Sequence, residues 1–377
     1  MQGDSPIQNK TIIILSQQDW GDMYISKHHY ALALSQAGNL VYFVNGPHID
    51  NLSKGEVIIS ETEHPNLFVI NHRLSFSLLL KYKFNYLYSF LIRKHISNIV
   101  KAVQRKVDYI WSFDLSDTLP LRFFPNDIKK VFIPVDELSE ESAGKAAIGA
   151  EAIFSVTHEI LAKFRQYKVP KVFLNHGVAA HFINDEVQYH VNKPIHIALS
   201  GNFLRPDIDW HTLLQIVNEN KELVFHFYGS VSAGNANLGN ENAVEAERQI
   251  NELRKNENII LHGQTQTQQL ASELKKADCF LICYDINKDQ SGGTNYHKVL
   301  EYLATGNVVI ANNITTYSGS GLVEMPEERD NHTLPALFKK VVANITQYNT
   351  QEQRIKRIEY AKQHLYTEQI KKIAAYL

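Results

Sequence analysis

The sequence predicts an α/β protein built from two doubly wound parallel sheets. Three observations carry this. Short apolar, β-branched runs alternate with helical stretches along nearly the whole chain. The alternation breaks at the polar stretch 185–194 and then restarts. The length of 377 residues suits two domains of ordinary size.

The elements follow in order. Thr11-Ile-Ile-Ile-Leu-Ser16 is an apolar run without polar alternation, the pattern of a strand buried on both faces. Ser26–Ala37 predicts a helix that stops at Gly38, and Leu40–Val44 predicts a strand that stops at Asn45-Gly46-Pro47. Together they make a βαβ unit. Leu67–Ile70 predicts a strand and 76–106 a long helical region. Tyr109–Trp111, Val131–Pro134, Ala152–Ser155 and Val172–Leu174 predict further strands.

After the break, Ile195–Ser200, Leu223–Tyr228 and Ile259–His262 predict strands ending at Gly201, Gly229 and Gly263. Asp209–Asn218, Thr267–Ala277 and Tyr296–Thr305 predict helices, the last stopping at Gly306. Cys279–Cys283 and Val308–Ala311 predict the remaining strands. The first part of 230–256 reads as a mobile surface loop and Ala243–Lys255 as a solvated helix. Glu352–Leu377 reads as one final helix that returns to the first domain. The expected boundaries are 1–190, 191–360 and a returning segment 361–377. Parallel sheets of this kind bind ligands beyond the carboxyl ends of their strands, so two of them facing each other imply a cleft that closes on its ligands.

Composition narrows the function classes. A net charge of −2 supplies no global field for nucleic acid, which is not expected as a partner. Residues 1–10 lack the apolar core of a signal peptide, and no stretch reaches about 18 uninterrupted apolar residues, so a cytoplasmic protein without a membrane span is expected. Cys279 and Cys283 are the two cysteines, and their spacing of four on a strand reads as core packing. No metal site is expected, and no cofactor. Asp207-Ile-Asp209 has an Asp-x-Asp pattern but stands at a helix start, where capping explains it. Gly-x-Gly-x-x-Gly does not follow the first strand, which argues against a nicotinamide enzyme.

Between Arg73 and Val107 there are eight Lys or Arg and no Asp or Glu, with aromatic residues interleaved. This pattern points to an anionic membrane surface, and so to a peripheral place on the inner face of the membrane. The competing reading is an amphipathic helix on the sheet with a solvated basic edge.

The most informative stretch is Ser291-Gly-Gly-Thr-Asn-Tyr-His-Lys298-Val-Leu-Glu301-Tyr-Leu-Ala-Thr-Gly306. A Gly-rich loop (Gly292, Gly293, Thr294) runs into a helix, whose N-terminal N–H groups attract phosphate. Lys298 and Glu301, three apart, share a face. A cation there can neutralise a diphosphate, and the carboxylate can accept hydrogen bonds from a ribose diol. The competing reading is an exposed Lys/Glu pair on an ordinary helix.

This block resembles the donor-site signature of GT-B glycosyltransferases, nearest the retaining family 4, or "group 1", enzymes. The resemblance implies two Rossmann-like domains with sheets facing across a cleft. It implies a nucleotide sugar as donor and a carbohydrate or lipid-linked acceptor, in cell-surface polysaccharide synthesis. It places Lys298 on the diphosphate and Glu301 on the ribose. Asn258-Ile-Ile-Leu-His262-Gly263 resembles the family's segment beside the base, with Tyr228 and Gly229 on the neighbouring strand end. Asn175-His176-Gly177-Val178 is similar to the element before the linker. Trp20–Leu34, with Val41–Pro47, resembles the family's first βαβ unit, which helps form the acceptor side; Gly21 with Asp22 reads as the loop facing the donor.

The chain departs from that pattern at three places. Gly293 stands where the family often has a first glutamate. Gly201 is followed by Asn202, leaving Arg205 as the nearby cation and candidate phosphate ligand. Aromatic residues replace a His-x-His after Tyr109–Trp111, and Asp114 is the polar group left. The last feature, with Val135-Asp136-Glu137-Leu138-Ser139, resembles the subgroup related to teichuronic acid biosynthesis. An inverting reaction would need a base to deprotonate the acceptor; Asp114, Asp136, His28 and His29 are the candidates. In a retaining reaction the departing phosphate takes that proton, and the resemblance favours retention. Two rival readings are a nucleotide-sugar epimerase and a catalytically silent binding subunit of the same fold.

Overall fold

The computed structural model describes residues 7–21, 24–47, 51–186, 188, 190–231 and 240–377. The chain divides into two compact units, Met1–Asn175 with Tyr366–Leu377, and His176–Leu365. Asp22, and most of the loop read at the start of 230–256, lie outside the described residues.

The first unit holds eight strands: β1 Thr11–Leu15, β2 Leu40–Pro47, β3 Val57–Glu61, β4 Leu67–His72, β5 Tyr109–Ser112, β6 Lys129–Phe132, β7 Ala152–Ser155 and β8 Lys171–Phe173. Their order is β3-β4-β2-β1-β5-β6-β7-β8. All pair in parallel except β3, which runs antiparallel to β4 at the edge. Every residue of β1 is buried. Ile13 and Leu15 pack into the core on one face of the sheet, and Ile12 and Ile14 into that on the other. This is why the strand reads as an unbroken apolar run. β3 escaped the sequence reading because it is a half-exposed edge strand with no full apolar run.

The second unit holds β9 His196–Ser200, β10 Val224–Tyr228, β11 Ile259–Gly263, β12 Cys279–Ile282 and β13 Val308–Ala311. Their order is β11-β10-β9-β12-β13, all parallel. The strand order reverses between β9 and β12, and in the first unit between β1 and β5. Crevices at the carboxyl ends of such strands are where open α/β sheets hold ligands.

Two helices differ from expectation. The region 76–106 is two helices, Leu80–Lys83 and Asn85–Ala102, with Phe84 at the elbow in a non-helical conformation. The C-terminal helix is broken into Gln351–Lys362 and Tyr366–Ala374. No Gly or Pro marks that break. It is made by tertiary pairing, because Val178 N donates to His364 O at 3.0 Å and Val178 bridges Leu365. The helix Tyr366–Ala374 then packs in the first unit, where Tyr366 stacks on His29 at 5.0 Å. Cys279 and Cys283 are both buried free thiols. No described helix is long and apolar enough to cross a membrane.

Candidate functional site

In the second unit, Gly201, Gly229 and Gly263 end β9, β10 and β11 side by side. Gly201 N donates to Tyr228 O at 2.9 Å and Gly229 N to Gly263 O at 2.7 Å. Gly201 and Gly229 have φ values of 139° and 140°, a region closed to other residues. A Cβ on Gly229 would overlap the Gly201 carbonyl. The pairing of β10 with β11 slips at Phe227/Tyr228, leaving His262 as the extra residue. Such a bulge re-aims a side chain, and His262 lies flat against Tyr228, with centroids 4.2 Å apart and planes 8° apart.

Lys298 opens the helix Lys298–Thr305, two residues shorter at its start than expected. Its side chain is buried, and its Nζ donates to Ser200 O at 2.5 Å and to the Tyr284 hydroxyl at 2.6 Å. The ammonium therefore stands at the reversal point, between the ends of β9 and β12. Glu301 follows on the same turn with its side chain 14 % exposed and His297 Nε2 3.7 Å away. Burial raises its carboxyl to about 7, against the pull of Lys298. The exposed Lys/Glu pair is thus excluded: both side chains are largely withdrawn from water.

The Gly-rich loop is built around Asp289, which the sequence reading missed. Its carboxylate accepts from Gly293 N at 3.0 Å, Ser291 N at 3.1 Å, Ser291 Oγ at 2.6 Å and the Tyr296 hydroxyl at 2.7 Å. Burial would raise this carboxyl, but those hydrogen bonds outweigh it and hold the group below its usual value. Gly292 and Gly293 have φ values of 58° and 70°. A Cβ on Gly293 would lie 2.7 Å from Ile286, so the glutamate of the family pattern would strain this loop. Thr294 Oγ1 is buried without a hydrogen-bond partner among the described residues.

Arg205 Nε donates to Asp207 at 2.8 Å, and its guanidinium lies 3.6 Å from Asp289 and 5.3 Å from the centre of the Tyr284 ring. It keeps a 42 % exposed side chain. Asp209 caps the helix Trp210–Glu219, accepting from Thr212 N at 3.1 Å, so Asp207-Ile-Asp209 divides into an arginine partner and a cap.

The far end of the Lys298 helix is held by a device not legible from local sequence. Arg357 donates to Gly306 O at 3.1 Å and Tyr348 O at 2.9 Å, and Arg354 to Glu186 O at 2.9 Å. Both are buried, and the cations face the negative end of the helix dipole.

In the first unit, the ends of β1, β2, β4 and β5 enclose a cleft of about 170 Å³ lined by Gln17, Asn45, Gly46, His72, Asp114 and Thr118, among others. Asp114 does line it, but its carboxylate is engaged. It accepts from Ser116 N at 3.1 Å, Thr118 N at 2.6 Å and Leu119 N at 3.0 Å. His28 is buried, with Nδ1 accepting from Ile25 N at 3.1 Å and Nε2 3.0 Å from Asp19 O. Burial holds its imidazole below the usual value. His28 thus caps its own helix and ties down the loop after β1. His29 stacks on Tyr366, Asp136 is exposed beyond β6, and Gly21 is exposed, with no atom of the described residues within 4 Å of where a Cβ would stand. Lys27, unanticipated, is buried beside them; burial lowers its ammonium to about 8, while Asp136 and Asp114 pull the other way.

No family model matches the chain, and no curated protein sequence does. Solved structures do. Sucrose-phosphate synthase from Thermosynechococcus elongatus is 13 % identical, with a TM-score of 0.68 over 97 % of this chain and 98 % of that one. A trehalose-6-phosphate protein from E. coli, bound with UDP-2-fluoro glucose, is 10 % identical with a TM-score of 0.68 over the same shares. Anabaena HepE, in complex with UDP and glucose, is 12 % identical with a TM-score of 0.63, again over 97 % and 98 %. At such identities the likeness establishes architecture: the chain has the GT-B fold, with two parallel-dominated α/β sheets.

Proposed function

We propose that the protein is a glycosyltransferase that takes its donor, a nucleotide sugar, in the second unit and its acceptor in the first. One observation carries the reading. A buried lysine and a largely buried glutamate, three residues apart, open a helix after a Gly-rich loop, at the point where the strand order reverses. Lys298 supplies positive charge for a diphosphate, with Arg205 the second cation and Thr294 Oγ1 a further donor. Glu301 accepts from the ribose. The Tyr228–His262 stack, on the rim formed by Gly201, Gly229 and Gly263, offers a flat face to the base. Two of the similar structures hold UDP or a UDP-sugar, which makes UDP-hexoses the first donors to try.

Retention is the stereochemistry we assign. Transfer needs a stabilised leaving group and a proton acceptor for the incoming hydroxyl. Asp114 and His28 are already committed to backbone groups, so the departing phosphate is the better acceptor for that proton. Asp136, exposed beyond β6, is the group an inverting reaction would use. The acceptor is assigned as a carbohydrate or a lipid-linked carbohydrate of cell-surface polysaccharide synthesis, on the motif's likeness to that subgroup.

The test is nucleotide release from UDP-, GDP-, ADP- and CDP-sugars, with membrane lipid extract as acceptor, for wild type and Glu301→Ala. Acceptor-dependent release that the substitution abolishes supports a transferase and identifies the donor. Conversion of the donor into an epimeric nucleotide sugar without acceptor, and without net nucleotide release, would favour an epimerase. Tight binding without turnover would favour a silent subunit. Failure to bind any nucleotide sugar would sink the donor site.

A further inference from the structure

We infer that residues 78–94 form a docking face for an anionic lipid bilayer. Seven of the twelve large apolar side chains exposed among the described residues fall between 78 and 90. Tyr86 is 96 % exposed and Tyr82 83 %, with Leu79, Phe84 and Phe90 each more than half exposed. Isolated exposed apolar residues are ordinary, but a contiguous cluster of this size marks an interaction surface.

The backbone explains how the cluster forms. The helix Asn85–Ala102 buries Tyr88, Ile92, His95, Ile96 and Ile99 against the sheet. Tyr86, Leu87 and Phe90 occupy its outer side within the first two turns, and Lys94, one turn beyond Phe90, continues that side. Phe84, at the elbow, joins them to Tyr82 on the preceding short helix.

Charge selects the occupant. Lys83 stands inside the apolar tip, and Arg93, Lys94, Lys101, Arg105 and Lys106 follow it, all exposed. No carboxylate interrupts 73–107. Tyrosine and phenylalanine at a tip with cations behind them match a leaflet whose headgroups are anionic. A protein partner would need no such one-sided charge.

The tip is fastened to the cleft of the first unit. Lys81 turns inward and donates to Ser116 O at 2.7 Å and Asp117 O at 2.8 Å. Those residues belong to the loop that Asp114 organises and that supplies Thr118 and Leu119 to the cleft wall. Docking of the tip therefore brings this cleft to headgroup level, where an acceptor carried on a lipid would present its sugar. That last step rests on the transferase reading; the docking itself does not.

The experiment is vesicle sedimentation of the full chain, with phosphatidylcholine alone and with phosphatidylcholine containing phosphatidylglycerol. Two variants are compared with wild type: Tyr82→Ser/Phe84→Ser/Tyr86→Ser/Phe90→Ser, and Lys83→Glu/Lys94→Glu. These side chains are exposed, so thermal melting should be unchanged, and nucleotide-sugar binding by calorimetry should be too. The expected result is pelleting with the anionic vesicles that high salt weakens and that each variant weakens by about tenfold or more. No pelleting with anionic vesicles, or equal pelleting with neutral ones, would overturn the inference. Self-association lost in the serine variant without vesicle binding would assign the face to a second copy instead. Loss of vesicle binding with donor turnover intact separates this inference from the transferase reading.

Discussion

A Cβ placed on Gly201 would stand 2.5 Å from Lys298 Nζ. The glycine that ends β9 therefore leaves room for the ammonium that lies across it. Gly201→Ala must both strain a backbone at φ 139° and displace Lys298. We expect a stability loss of about 1–3 kcal/mol and donor binding weaker by at least about tenfold, read by urea midpoint and calorimetry. Gly21→Ala is the control: among the described residues nothing lies within 4 Å of its Cβ position, and its stability should stay within about 0.5 kcal/mol of wild type. Equal behaviour of the two variants would dismiss the steric account.

Glu301 gives a pH dependence whose sign is fixed. Its folded carboxyl is raised to about 7 by burial, above the ordinary value of 4.5. Between those values the folded state holds a proton that the unfolded state has released, so stability falls as pH rises from about 4.5 to 7 and is level above. With the side chain 14 % exposed, the total is of the order of 1–3 kcal/mol. Glu301→Gln should match wild type near pH 4.5, exceed it near pH 8, and flatten the curve between. Donor affinity should move the other way in wild type, strengthening as the carboxylate forms, and Gln should remove that trend.

Asp289→Asn tests the loop. The carboxylate accepts four hydrogen bonds, two from backbone N–H groups and two from hydroxyls. An amide offers one acceptor oxygen in place of two and introduces an NH2 group facing donors. We expect about 1–3 kcal/mol of destabilisation. Arg205, which lies 3.6 Å from Asp289, should lose part of its hold as well. Donor binding should therefore weaken even though Asp289 is placed on no part of the ligand. Unchanged affinity with reduced stability would confine Asp289 to a structural role.

Much of this was readable in the chain because the relevant signals are local. β-branched runs ending at Gly201, Gly229 and Gly263 mark strand ends, and Lys298 and Glu301 share a face by spacing alone. What was not readable lies in contacts between distant residues. Lys298 reaches Ser200 across 98 positions of sequence, and no local pattern reveals that its charge is held there. Asp114 and His28 are legible as polar groups near strand ends, but only their backbone partners show that they hold loops in place. The break at Gln363–Leu365 has no Gly or Pro because Val178 makes it.

Arg357 supports the final prediction. It is buried and donates to the carbonyls of Gly306 and Tyr348, and burial lowers its guanidinium to about 10. That cost is accepted at the end of a helix whose first turn carries Lys298 and Glu301, so the clamp fixes the helix along its axis. Arg357→Ala leaves those carbonyls without their donor and opens a cavity beside them. We expect about 2–5 kcal/mol of lost stability and a drop in donor affinity. Arg357→Lys keeps a charge but cannot reach both carbonyls in the same fork, and should fall between. If the alanine variant loses stability yet binds donor as wild type does, the helix is positioned by its other contacts, and Arg357 serves the fold alone.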